Sequence, residues 1–159
     1  MPRGMRAPYG YTTDWEIDEK TSADILLIFQ YACAGRSYLA MLNKLPGWNQ
    51  DKIYYYIQQD VYTGVARYNK KGVPQVDEGH HPAIISREVF EAVQVMQQMN
   101  LLNRSRRLFT ETELVVLDYA WQIGVKAWGE ETMLKLLEAE LEEEACENVE
   151  EYGVEEESE

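Results

Sequence analysis

Apolar residues recur along the chain in short amphipathic blocks. Gly, Pro and small polar residues separate them, the pattern of a mainly α-helical domain. The block "EKTSADILLIFQYACA" carries Ile25, Leu26, Ile28, Phe29 and Ala32, a face broad enough for a helix buried on most sides. Asp18 is placed to cap it and Gly35 to stop it. Ser37 caps a shorter helix, "YLAMLNKL", which the Pro-Gly pair at 46–47 ends. A third helix begins near Asn49 and covers "QDKIYYYIQQ". Ile53, Tyr56 and Ile57 fall at i, i+3 and i+4 and face inward, leaving Gln50, Asp51, Lys52, Tyr54, Tyr55 and Gln58 outward. Short helices, a tight turn and a third helix with a polar, aromatic face give a helix-turn-helix-like core.

The pattern then changes period. "VYTGVARYN", "KKG" and "VPQV" predict a small antiparallel β-hairpin with Gly72 in its turn and Pro74 on an edge. "PYGYTTDWEID" near the start predicts an extended entry or a small hairpin. After "DEGHHPAII", Ser86 caps a helix whose packed stripe is Val89, Phe90, Val93 and Met96, and which runs into "RSRR" at 104–107. Thr110 and Glu113 have capping-box spacing. The helix they open carries Leu114, Leu117 and Trp121, and after Gly129 a second stripe carries Leu134, Leu137 and Leu141. These stripes predict a helical hairpin that docks on the body or on a second copy, with its glutamates exposed. From Glu142 the chain is mostly glutamate, and after about residue 150 it is expected to be disordered.

Charge divides the chain in two. Residues 1–108 hold 13 Lys/Arg against 11 Asp/Glu, a net +2, whereas residues 109–159 hold 2 against 17, a net −15. A near-neutral body (1–108) followed by an acidic helical tail (109–159) is the expected organisation. Cys33 and Cys146 sit in helical patterns without a C-x-x-C motif, which suits idle thiols in a reducing cytoplasm. No apolar run is long enough to span a membrane, and "MPRGMRAPYGY" lacks the apolar core of a secretory signal.

Several segments, read in order, resemble one family: the DNA-binding recombinase domain of large serine recombinases, of the phage-integrase and transposon-resolvase type. They are "PYGY", the acid-capped helix ending "IFQYACAG", "SYLAMLN", a tryptophan with "YYIQQDVYTG", and "HHPAIISREVFEAVQ", together about residues 7–97. The resemblance implies that "HHPAIIS" is an extended link into a helix. His80 and His81 are then scaffold: Pro82 keeps His81 extended, and two neighbouring histidines pointing apart do not make a metal site. Family enzymes carry an N-terminal domain with a nucleophilic serine and a later zinc ribbon with paired C-x-x-C motifs. The chain begins a few residues before "PYGY" and has no such cysteines, so neither is expected, nor any cofactor or metal.

The resemblance implies a non-catalytic module that binds double-stranded DNA weakly and with strong salt dependence. Expected contacts are Lys52, Tyr55 and Gln58 on the third helix, Arg67, Lys70 and Lys71 on the hairpin, and Arg104, Arg106 and Arg107 beyond the last core helix. Arg3 and Arg6 would follow a groove as an arm. Tyr54 and Tyr55 stand where family members often have arginine, and "LNKLPGW" is shorter than the family's glycine- and proline-rich loop. A second reading makes the chain a protein-interaction factor of a phage or mobile element. Its acidic tail would mimic nucleic acid against a recombinase or another basic partner, with Leu114, Leu117, Trp121, Leu134, Leu137 and Leu141 as the contact surface. A third makes it a fragment of an integrase gene.

Overall fold

Caps encoded in the sequence set where the helices begin. The computed structural model describes residues 6–103 and 109–138. Helix α1 (Glu19–Cys33) starts at Asp18, whose carboxylate accepts the amides of Lys20 and Thr21. It ends at Gly35, which takes φ +73, a left-handed conformation that costs a residue without a Cβ little. Ser37 caps α2 (Tyr38–Leu42) through the Ala40 amide. Asn49 caps α3 (Gln50–Ile57) through that of Lys52. Ser86 caps α4 (Arg87–Gln98) through that of Val89. Thr110 and Glu113 form a reciprocal capping box at the head of α5 (Glu111–Trp128). A further helical run, α6, covers residues 130–138.

The architecture is mainly helical with one small antiparallel sheet, as the periodicity predicts. Strands β1 (Ala66–Lys70) and β2 (Val73–Asp77) pair in register from Ala66 opposite Asp77 to Lys70 opposite Val73. Lys71 and Gly72 form the two-residue loop with φ +52 and +79, the positive pair that matches the twist of a tight hairpin. The first arm is shorter than "VYTGVARYN" suggests. Asp60–Thr63 forms a 3-10 turn, and Gly64 at φ +93 redirects the chain before β1. Tyr62 is the cause: its side chain belongs to the core, not to a strand face.

The core is built around α1. Ile25, Ile28, Phe29, Ala32 and Cys33 are fully covered, packed with Met41 of α2, Ile53 and Ile57 of α3, Tyr62, and Val89, Val93 and Met96 of α4. The entry segment is held by aromatic packing and one isolated bridge between Tyr11 and Ile17. Trp15 there takes φ +64.

Leu117 and Trp121 of the expected stripe pack partly buried against the core, but the fully buried positions of the C-terminal helices lie beside that stripe. The buried face of α5 is Glu113, Ala120 and Gly124, while Leu114 is half exposed and Leu117 and Trp121 are partly covered. On α6, Met133 is fully buried and Leu134 is 43% exposed. Size explains the choice. A Cβ on Gly124 would lie 2.5 Å from Met133 Cε and 3.1 Å from Cys33 Cβ, so the missing side chain lets α1 and α6 close on α5. A helix apolar on most sides rolls toward the face that permits the closest packing. Glu113 is not an exposed acid either, being 8% accessible within its capping box. Arg36, 3% exposed, donates from Nη1 to the Leu136 carbonyl at 3.4 Å, tying α6 to the turn after α1. Leu141, Cys146 and the glutamate-rich end lie outside the described residues. Among the described residues no helix is long and apolar enough to cross a membrane.

Candidate nucleic-acid interface

Helix α3 presents its polar, aromatic side outward. Tyr54 and Tyr55 are 51% and 60% exposed, Gln58 is exposed, and Ile53 and Ile57 are fully buried behind them. The helix is supported from beneath by α4, where Gln94 donates to the Ile57 carbonyl at 2.7 Å. At its start, Lys52 Nζ sits 4.3 Å above the Trp48 ring and 5.4 Å from that of Tyr9. That cation–π contact fixes the direction of a long side chain and leaves its charge at the edge of α3. Tyr9 in turn packs on Trp48 and Tyr56 with centroids 5.6 and 5.5 Å apart, and its hydroxyl donates to Asp24. Sequence periodicity gave no sign of Tyr9 as part of the seat of Lys52, since that contact spans 43 residues, whereas Trp48 lies only four residues before it.

The hairpin joins this face through an ion pair. Arg67 donates from Nε and Nη2 to one oxygen of Asp60, at 2.8 and 2.6 Å. Asp60 opens the turn after α3, so the pair fixes β1 against the end of that helix. Asp60 also offsets the charge of Arg67, the one hairpin cation so engaged. Lys70 and Lys71 are exposed at the tip and make no ion pair among the described residues. They lie roughly 10–13 Å farther out than Arg67 at strand spacing. The structure therefore brings Gln58 and Arg67 to one end of α3, holds Lys52 at the other, and projects Lys70 and Lys71 away from both. Arg6 is exposed in the entry segment. Arg3, Arg104, Arg106 and Arg107 fall outside the described residues.

The two histidines close the opposite side of the hairpin base. His81 is 7% exposed, its Nε2 lies 2.5 Å from the Val61 carbonyl, and its ring stands edge-on to Tyr11 at 4.8 Å. His80 stands edge-on to Trp15 at 4.9 Å. The rings do not point apart as an ideal extended segment would place them. Their Nδ1 atoms are 3.0 Å apart, because Gly64 admits the His81 carbonyl close to the backbone and turns the segment inward. One nitrogen of the pair must accept, and a neutral His81 meets both contacts when its Nε2–H donates to Val61 and its Nδ1 accepts from His80. Burial lowers its pKa below the ordinary 6.5, and the neighbouring His80 lowers it further, against the opposing effect of the Val61 carbonyl. A base with a depressed folded pKa supports the fold fully above its unfolded value and loses that support as pH falls below it. Urea unfolding should therefore show stability declining from about pH 6.5 downward, and His81→Gln should flatten that decline. No group of three or more ligating residues able to hold a metal occurs among the described residues.

A family model described as Recombinase matches residues 19–100, just over half of the 159-residue chain. The chain belongs to the Recombinase family. The match agrees with the resemblance to the recombinase domain of serine recombinases. It spans α1 to α4, and therefore contains both the exposed face of α3 and the hairpin. Arg6 precedes the Recombinase segment, and α5 and α6 follow it. Among curated proteins and among solved structures no match is found.

Proposed function

We propose that the chain is a non-catalytic DNA-binding module of a site-specific recombination system. Its contact surface is Lys52, Tyr55 and Gln58 of α3 with Arg67, Lys70 and Lys71 of the hairpin, extended by Arg6 and by the basic residues outside the described segments. The supporting observation is that the Recombinase match encloses both elements while Tyr55, Gln58, Arg67, Lys70 and Lys71 remain exposed and Lys52 half-buried. The surface is sparse in free cations, so affinity is low and the tyrosines and Gln58 contribute hydrogen bonds and stacking. Because Lys70 and Lys71 are the unpaired cations of the hairpin, Lys70→Ala with Lys71→Ala should lower the log–log salt slope of duplex binding by about one to two units. Fluorescence anisotropy across a salt series measures this, and an unchanged slope removes the hairpin from the interface.

A non-catalytic role fits the state of the described nucleophiles. Ser37 and Ser86 hydroxyls accept helix-capping amides, and Ser22 donates to the Glu19 carbonyl. Cys33 is fully buried and desolvation pushes its thiol up to about 12, far from a reactive thiolate. Purified chain should leave supercoiled plasmid intact; nicking that follows the protein peak through chromatography would overturn this reading.

A further inference from the structure

Helices α5 and α6 leave open a cleft built from elements other than α3 and the hairpin. Ala34, Leu114, Leu117, Trp121 and Leu137 line it, with Asp118 among them, around a volume of about 190 Å³. That is below the roughly 300 Å³ at which small-molecule pockets begin. It suits a large side chain projecting from a protein surface. Leu114 in its wall is 50% exposed, and Val115 and Tyr119 on the same helix are 68 and 55% exposed, although a helix apolar on this many sides is normally covered.

Charge limits what could cover it. Residues 109–159 hold 17 acids and only two cations, Lys126 and Lys135. Both cations are already paired, Lys126 with Glu88 at 3.1 Å and Lys135 with Glu131 at 3.6 Å. Asp118 lines the cleft, Glu111 stands one turn before Leu114, and Glu138 follows Leu137. A second copy would bring a net −15 against the same charge. We propose that the cleft receives a large apolar side chain from a basic amphipathic helix of a partner protein, whose lysines or arginines face Asp118, Glu111 and Glu138.

The test uses the full chain and three labelled synthetic helices of about 18 residues, five turns. One is an amphipathic Leu/Lys helix, one a scramble of the same composition, and one a Leu/Glu helix. The Leu/Lys helix should bind one to one, with the scramble and the Leu/Glu helix at least about tenfold weaker. Leu114→Glu and Asp118→Lys, both at exposed positions, should each weaken it at least about tenfold. Leu134→Glu, exposed but outside the cleft, should bind as the parent does, and circular dichroism checks that every variant is folded. Equal binding of the scramble, or no loss in Leu114→Glu, reduces the effect to bulk charge and overturns the proposal. So does a concentration-dependent dimer abolished by Leu114→Glu, which makes a second copy the occupant. Binding seen only after removal of residues 139–159 makes the chain's own C-terminal segment the occupant, and also overturns it.

Discussion

Tyr62→Ala should destabilise the chain by about 3–5 kcal/mol, the range for removing a large aromatic from a closed core. Tyr62 is fully buried and stacks on Tyr11 with centroids 6.1 Å apart, while its edge meets Phe29 and Tyr56, each at 6.4 Å. Its hydroxyl donates to the Tyr9 carbonyl at 2.8 Å, and its own carbonyl accepts the amides of Ile84 and Ile85. One residue thus connects the entry segment, α1, α3 and the link into α4. Domains of this size are stable by about 5–15 kcal/mol in all, so the loss is a large share of the total. Tyr62→Phe keeps the ring and loses one hydrogen bond, an expected cost of about 0.5–1.5 kcal/mol. Urea unfolding of both variants measures the difference. Equal, small losses would mean that the packing around Tyr62 is not what holds these segments together.

Removing residues 139–159 should tighten duplex binding on the order of tenfold at low salt, with the gain vanishing as screening shortens the reach of charge. The segment holds 11 glutamates and no lysine or arginine, so the net charge moves from −13 to −2. The cut belongs after Glu138 and not at the charge boundary near residue 109. Cutting there would delete Ala120, Gly124 and Met133, which pack into the core or allow its closure. Anisotropy at about 50 and 200 mM salt compares the two chains. No tightening at low salt would mean that the acidic segment does not oppose DNA.

Much of the fold was legible because its signals are local. Asp18, Ser37, Asn49, Ser86 and Thr110 cap the helices they precede, and each cap acts within three residues of its own position. The hairpin was legible from Gly72 and the β-rich arms around it. The face of α5 was not: Leu114, Leu117 and Trp121 make a good helical stripe, but Ala120 and Gly124 permit closer approach, and only the positions of Cys33 and Met133 reveal it. The interface divided in the same way. The outward direction of Tyr54, Tyr55 and Gln58 follows from helical period, whereas the Tyr9 side of the seat of Lys52 depends on how the entry segment folds back. The partner of Arg67 lies only seven residues away, but reaching it requires the bend at Gly64. The histidine pair depends on the same bend.

Whether α3 and the hairpin together form a DNA surface can be read from amide spectra of the full ¹⁵N-labelled chain recorded during titration with duplex DNA. Progressive shifts are expected at residues 52–58 and 67–71, diminishing as salt is raised, with little change in α6. Saturating DNA that moves none of these amides, or shifts confined to α5 and α6, would contradict such a surface.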